Sequence, residues 1–160
     1  MKSKLILLFL ISFIAPSCNN TYSSVQKTSS NQTKRKHLPE IVYSIDKANS
    51  GNYEPIEIDE ENRPEPIHGK NKWIRDFYGS IKYPAIAREN GIGGVVILDI
   101  EVDQKGKVTV VDIKQSVSVE CDNEARRAYI FSTQGGYIPL LIDNLPTKFR
   151  MELPVGFWIE

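Results

Sequence analysis

The sequence lacks the features that usually mark a catalytic or nucleic-acid-binding protein. Its 20 basic and 20 acidic residues cancel, so no excess of positive charge points to nucleic acid. It contains no HExxH, G-x-S-x-G, P-loop or C-x-x-C motif. Both histidines, His37 and His68, lie outside the strand-rich half, and the acidic run 57–61 lacks the spacing of a calcium loop. We therefore expect that the protein is not an enzyme and that it has no cofactor, no metal site and no nucleic-acid partner.

A long apolar run is also missing. The run from Leu5 to Ala15 is far shorter than the roughly 20 apolar residues that a membrane-spanning helix needs. Lys2 and Lys4 precede it, and a small residue, Ser17, stands before a possible cleavage point. This order is typical of a secretory signal peptide, to which we assign residues 1–18.

Cysteine is scarce, since the chain holds two. Pro16-Ser17-Cys18 follows the apolar run and resembles a bacterial lipobox, in which the cysteine is acylated and becomes the mature N-terminus. The resemblance implies that Cys18 is the lipidation site and anchors the chain to a membrane. The alternative is an ordinary signal peptide in which Cys18 has no role. Acylation of Cys18 would exclude an intramolecular disulfide, and Cys121 is expected to be a small buried apolar residue.

Residues 19–67 show little capacity to form a core. The first part, 19–36, is rich in Ser, Thr, Asn and Gln, and only Tyr22 and Val25 are large and apolar. Later prolines at 55, 64 and 66 favour extended backbone. The apolar residues between Leu38 and Ile45 are compatible with a short helix or a short strand. We predict that 19–67 form a flexible to extended linker, because so few apolar groups cannot offset the entropy of ordering.

Residues 68–160 carry the pattern of one α+β domain, in which helical and strand periodicities alternate. The phase of the apolar residues in the second strand shifts midway, which suggests either a bulge or a strand buried on both faces. The predicted elements are a helix over 73–78 with Asn71 as its N-cap, a short helix over 84–90, strands over 94–102 and 107–116, a helix beginning at Asp122 and a strand beginning at Thr147.

The connections restrict the order of the strands. A helical crossover returns the chain parallel, so the second and third strands cannot be antiparallel neighbours. We predict a small antiparallel three-stranded sheet of order 2-1-3, packed against helices on one face. The third strand is then an edge with unpaired backbone groups. Its side chains alternate between the inward set Phe149, Met151, Leu153, Val155 and Phe157 and the outward set Lys148, Arg150 and Glu152.

Several short motifs follow one another along residues 68–160. They are Tyr83-Pro84-x-x-Ala87, Glu89-Asn90-Gly91-Ile92-x-Gly94-x-Val96, Val102-Asp103-x-x-Gly106-x-Val108, Asp122-x-Glu124-Ala125 and Leu153-Pro154-x-x-Phe157. With these motifs the segment resembles the TonB C-terminal domain family, especially the form common in Bacteroidetes-like bacteria. It departs from the family at Tyr137-Ile138-Pro139, where Trp-x-Pro is usual. It departs again at Asn144, where Gly is common, although Asn also tolerates a left-handed backbone.

The resemblance implies a protein-binding function in the cell envelope, facing the periplasm. Members of the family bind the TonB box, an extended peptide of outer-membrane TonB-dependent receptors, as an added strand, and an edge strand suits this mode. Phe149, Met151 and Leu153 are expected mainly in the core, whereas Arg150 and Glu152 are expected at the surface. The contacts that the resemblance implies are Tyr83, Pro84, Phe149, Arg150, Met151, Glu152 and Leu153.

Two roles remain open for such a domain. A TonB energy transducer has a transmembrane helix that engages the ExbB–ExbD proton motor, followed by a long proline-rich linker. The short apolar run ending near Cys18 favours instead a lipid-anchored accessory, at the outer rather than the inner membrane. As a flexible coil the linker would span about 40 Å, enough to reach a receptor from that anchor. An exposed edge strand also permits a strand-exchanged homodimer.

Overall fold

The computed structural model describes residues 38–59 and 62–159. The predicted signal peptide, with Cys18, and the linker as far as residue 37 lie outside the described residues. The described elements, in chain order, are β1 (Val42–Asp46), β2 (Glu54–Ile56), α1 (Lys70–Ser80), α2 (Ala85–Glu89), β3 (Gly94–Val102), β4 (Val108–Gln115), α3 (Val119–Ser132), β5 (Leu141–Ile142), β6 (Leu145–Pro146) and β7 (Lys148–Phe157).

Five strands of the described chain form one antiparallel sheet in the order β2-β1-β7-β3-β4. The predicted α+β class with helices against an antiparallel sheet is confirmed, but the prediction of a three-stranded sheet is wrong. The three predicted strands are neighbours in the expected order, β4-β3-β7. The difference is at β7, which has a second neighbour and is not an edge strand.

That second neighbour comes from the segment that the sequence placed in the linker. Residues 42–46 form β1, which pairs with β7, and β2 pairs with β1. The strand forms because Tyr43 and Ile45 alternate toward the helices, where Ile45 is only 2% exposed and Tyr43 packs against the core. Residues 38–59 are therefore folded against the sheet and are not a linker.

Two helix starts also differ from the prediction. Helix α1 begins at Lys70 after Gly69, whereas Asn71 lies inside the helix and does not cap it. Helix α3 begins at Val119, and the hydroxyl of its N-cap Ser118 accepts a hydrogen bond from Cys121 N at 3.3 Å. The carboxylate of Asp122, the predicted start, instead accepts a hydrogen bond from Val117 N at 3.1 Å.

The helices cover one face of the sheet. Phe77 of α1 is fully buried, stacks on Trp73 and meets the edge of Tyr129 of α3. The inward side chains of β3 and β7 form the other side of this core, as their alternation predicted. They are Val96, Leu98, Ile100, Val102, Phe149, Met151, Leu153, Val155 and Phe157. Within the described part of the chain, no helix combines the length and apolarity required to cross a membrane.

Candidate functional site

Strand β7 has one apolar face and one charged face, and the predicted contact residues divide between them. Phe149, Met151 and Leu153 point into the core and are 3% exposed or less. The ring of Phe149 meets the ring of Tyr137 edge to face, with 5.5 Å between their centres. These three side chains hold the strand in place, so a partner at this strand would meet backbone groups rather than their tips.

Arg150 lies at the centre of the charged face. Its Nη2 atom is 3.1 Å from Glu101 Oε2, and its Nε atom is 3.4 Å from Asp99 Oδ1. The ring of Tyr53 covers the guanidinium, with 4.4 Å from Cζ to the ring centre. Although burial works against the cation, the hydrogen bond to Glu101 and the nearby carboxylates raise the pKa of Arg150. Burial and a hydrogen bond to Glu101 also raise the pKa of the Tyr53 hydroxyl.

Glu152 is the second charged residue of β7 that the sequence predicted at the surface. Its carboxylate forms an ion pair with Lys114 of β4 across the intervening strand β3. Both side chains are partly exposed, so the pair contributes little to stability, of the order of 1 kcal/mol or less. The pair leaves Glu152 accessible on the open face of the sheet.

The edge of β7 that was expected to be free is covered by β1. The antiparallel register runs from Val42 opposite Glu152 to Asp46 opposite Lys148. By contrast, β3 pairs with the other edge of β7 along its whole length, from Gly94 opposite Phe157 to Val102 opposite Phe149. On the edge opposite β3, β7 is therefore paired only with the five-residue strand β1, over residues Lys148–Glu152.

Asp46 closes the turn that follows β1. Its two carboxylate oxygens accept hydrogen bonds from Ser50 N at 3.0 Å and from Gly51 N at 2.8 Å. Desolvation acts to raise the pKa of Asp46, but these backbone donors and Lys148 outweigh it and lower the pKa. The negative charge of Asp46 therefore strengthens these hydrogen bonds and stabilises the turn that connects β1 to β2.

The opposite edge of the sheet, along β4, is guarded by side chains. Arg126 of α3 donates from Nε to the carbonyl oxygen of Val111 at 3.1 Å. The carboxylate of Asp112 accepts from Ile113 N at 2.8 Å and lies 3.7 Å from Arg126 Nη2. Two backbone groups of β4, the Val111 carbonyl and the Ile113 N–H, are therefore already satisfied and less available to another strand.

Tyr83 and Pro84 lie at the far end of β7 from Phe149. The hydroxyl of Tyr83 donates to the carbonyl of Ile92 at 2.6 Å, and its ring meets the edge of Phe157 with 5.7 Å between centres. Pro84 is the N-cap residue of α2. The structure therefore brings Tyr83 to the end of the strand and separates it from the predicted contacts at 149–153.

Sequence reasoning missed the residues that complete the β7 edge. Tyr43 and Ile45 pack toward the helices, Asp46 closes the turn, and Tyr53 covers Arg150. One signal for them was present, because Tyr43 to Asp46 alternates apolar and polar before a turn that contains Gly51. The strand is five residues long, so this alternation was too brief to stand out from a linker.

Comparison with known proteins gives a match that covers most of the sheet and α3. A family model described as the C-terminal part of the Gram-negative bacterial TonB protein matches residues 80–159. Protein TonB of Vibrio cholerae serotype O1 (strain ATCC 39315 / El Tor Inaba N16961) is 32% identical over 81 residues. That alignment covers 49% of this chain and 32% of the relative, so the chain spans only a minor part of the relative's length.

Among solved structures, the NMR solution structure of Helicobacter pylori TonB-CTD is similar to this chain. The sequence identity is 16%, the TM-score is 0.46, and the similarity covers 56% of this chain and 79% of that chain. The family match begins at the last residue of α1, so β1 and β2 precede the matched region.

Proposed function

Because this chain belongs to the family of Gram-negative bacterial TonB C-terminal domains, we propose that it is a protein-binding module of the cell envelope. Its partner is an extended segment, the TonB box, of an outer-membrane TonB-dependent receptor. The segment binds as an added antiparallel strand of the sheet, so the function is recognition and not catalysis.

One observation supports strand addition more than any other. The edge of β7 takes up an extended segment in the protein itself, since β1 pairs with Lys148–Glu152 by main-chain hydrogen bonds. An edge that pairs with one extended segment has the backbone geometry to pair with another. The inward side chains of β7 are held in the core, so main-chain bonds supply affinity and the charged face supplies selectivity.

The charged face gives the partner a chemical preference. Arg150 and Lys148 line the outward side of the β7 edge and favour an acceptor or a carboxylate on the partner strand. Glu152, at the other end of the paired segment, favours a basic or neutral residue. Tyr83 and Pro84 position α2 at the end of β7, and their contact with a partner stays a prediction.

A titration with receptor peptides tests the proposal. The ¹⁵N-labelled protein is titrated with peptides that span the TonB boxes of receptors encoded near it, and amide shifts are followed by NMR. We expect the largest shifts in residues 148–157. A matched peptide with proline at a central position should fail, because proline cannot donate to a strand ladder. Unchanged amides in β7 with every peptide would count against strand addition.

The anchor is proposed to be a lipid on Cys18. The support is the sequence alone, a short apolar run that ends just before this cysteine. Mass spectrometry of the mature N-terminus should find an acylated Cys18, and Cys18→Ser should release the protein from the membrane fraction. An unmodified Cys18 or an uncleaved Met1 would contradict the lipoprotein interpretation.

The second candidate function is energy transduction from ExbB–ExbD to a receptor. It is favoured by the similarity to protein TonB of Vibrio cholerae over 81 residues. Cross-linking of the native chain in membranes separates the two roles. We expect cross-links to a receptor but none to ExbB or ExbD, and recovery of either motor protein would favour the transducer.

A further inference from the structure

We infer that strand β1 is an internal competitor for the partner-binding edge of β7. A partner strand binds by displacing the hairpin formed by β1 and β2, and β1 itself reports which sequence pattern the edge accepts. The inference rests on the proposed function for the identity of the partner. It adds that the partner binds at the β7 edge, that the β1–β2 hairpin must leave this edge, and that the partner shares the apolar–polar pattern of β1.

Neither long edge is fully open in the described part of the sheet. At the β4 edge, the side chains of Arg126 and Asp112 bond to two backbone groups, the Val111 carbonyl and the Ile113 N–H. The β7 edge is covered by β1. The outer edge of the sheet is then β2, which is three residues long and contains Pro55. A stretch this short provides few donors for a partner strand, so the long β7 edge is the better target once β1 has left.

Strand β1 is attached to the domain by few buried side chains. Between residues 38 and 58 only Ile45 and Asp46 are buried, whereas every second residue of β3 from Val96 to Val102 is fully buried. Beneath β1 lies a cavity of about 160 Å³ that is lined by Tyr43, Trp73 and Leu153, among others. The Nε1 atom of Trp73 is buried and has no hydrogen-bond partner. The layer between β1 and α1 is therefore incompletely packed, and β1 loses dispersion contacts there.

Contacts on the open face also connect the hairpin to the rest of the sheet. Tyr53 covers Arg150, and Asn49 Oδ1 accepts from Gln104 Nε2 at 3.0 Å. These contacts are at the surface, where each adds little to stability. A partner strand that restores the main-chain bonds and the buried apolar side chain can replace them.

The register of β1 defines the partner. Tyr43 and Ile45 lie opposite Met151 and Phe149 and face the helices, so a partner needs apolar residues at these two positions, with one residue between them. Asp46 lies opposite Lys148, so an acidic residue is favoured one position after the second apolar residue. We expect a segment with the apolar–polar alternation of Tyr43–Asp46, without proline at positions that donate to β7.

A disulfide clamp tests whether β1 must leave. Val42 and Glu152 are directly opposite and on the open face, and opposite residues of an antiparallel pair lie within the Cα separation that a disulfide allows. The full chain with Cys18→Ser, Val42→Cys and Glu152→Cys is compared oxidised and reduced. We expect the oxidised form to bind receptor peptides at least tenfold more weakly, with binding restored by reduction. Because both states share the same residues, loss of Glu152 cannot explain the difference.

A second variant loosens the hairpin. Ile45→Ala in the full chain removes its one buried apolar side chain, and a synthetic peptide of residues 38–46 serves as the probe. We expect this peptide to bind Ile45→Ala about tenfold more tightly than the wild type, because more of the protein has an open edge. A scrambled peptide should not bind. Val110→Ala, an exposed change on β4, is the matched control and should leave the affinity unchanged.

The outcomes separate this inference from the proposed function. If receptor peptides bind the clamped and reduced forms equally, displacement of β1 is wrong although the protein still binds receptors. If the 38–46 peptide binds the loosened variant but no receptor peptide binds any form, competition stands and the receptor assignment fails. If Ile45→Ala gains no affinity for the 38–46 peptide while remaining folded by circular dichroism, the inference is overturned. A dimer that exchanges β1 between copies would also overturn it, because the occupant would be a second chain.

Discussion

At the residue scale, Gly106 leaves less room for a Cβ than any other glycine in the described residues, because it packs against the backbone of Tyr137. Gly106 has φ of +80°, and a Cβ built there would lie 1.9 Å from the carbonyl oxygen of Tyr137. The same two residues are joined by a hydrogen bond from Tyr137 N to Gly106 O at 2.7 Å. The β3–β4 turn is thereby fixed against the segment that follows α3, and only glycine permits it.

We predict that Gly106→Ala lowers the free energy of unfolding by about 3 kcal/mol or more, from left-handed strain together with the clash. Gly91→Ala is the matched control, because Gly91 has φ of +67° but nothing within 4 Å of its would-be Cβ. It should lose only about 1 kcal/mol. Urea unfolding followed by circular dichroism measures both. Equal losses would show that the Tyr137 contact does not matter.

The backbone conformation and the burial of single residues could be predicted from the sequence where they depend on nearby residues. Asn144 has φ of 62°, the left-handed conformation expected from its place in the turn between β5 and β6. The inward residues of β7 are buried as their alternation indicated, because a ten-residue strand repeats the pattern often enough to be read. Arg150 was correctly placed at the surface, but its contact with Tyr53 joins residues far apart in sequence and had no local signal.

At the element scale, the turn after β1 depends on the charge of Asp46. The pKa of Asp46 is lowered in the folded protein, so its contribution to stability is complete above the ordinary value of 3.8. That contribution is lost as pH falls from there through the lowered folded pKa. We predict that the β1–β2 hairpin loosens in this acid range while the β3–β7 pairing persists, because carboxylate protonation weakens the bonds to Ser50 and Gly51.

The acid loosening is measured by NMR amide shifts between about pH 6 and pH 2, where the first step should appear in residues 42–56. Asp46→Asn should show a weaker hairpin at neutral pH and no such step. If both forms titrate alike, another carboxylate controls the hairpin.

The guarded edge of β4 gives a second prediction at this scale. Arg126→Ala frees the carbonyl of Val111, and an unpaired edge group favours pairing with another copy. We expect self-association about tenfold stronger than in the wild type, as one added hydrogen bond allows. Sedimentation velocity at several concentrations measures it. Arg127→Ala is the control, because Arg127 pairs with Glu124 and leaves the β4 edge intact. Equal association of the two variants would contradict the guarding role.

Elements with a long repeat were predicted well, and elements that depend on a distant partner were not. Strand β3 was predicted at its observed bounds, and of the two explanations for the phase shift in β4, a bulge agrees with the two register shifts of β4 against β3. Strand β1 was missed because Ile45 is the one buried apolar residue among its five residues, and the pairing that stabilises it comes from β7, more than 100 positions away. Helix α3 begins three residues before the predicted start, because Ser118 and not Asp122 caps it.

At the scale of the whole molecule, the sequence and the structure place the start of the domain differently. The sequence puts it at residue 68, and the family match begins at residue 80. All described residues from 38 onward nevertheless belong to one compact unit. The segment before 68 also bonds to the loop after α3, with Ile138 N donating to Glu65 O at 2.8 Å and Ile67 N donating to Gly136 O at 3.0 Å.

We predict that a fragment of residues 68–160 is less stable than one of residues 38–160 by at least about 2 kcal/mol, since burial of a side chain such as Ile45 contributes roughly that much. Without β1, the β7 edge has unpaired backbone groups from Lys148 to Glu152. The shorter fragment should therefore also self-associate or bind the 38–46 peptide, and the longer one should do so at least tenfold more weakly. Chemical unfolding and sedimentation of both fragments measure these differences. Equal stability and two monomers would mean that β1 contributes nothing to the domain, and the edge of β7 would then need no occupant.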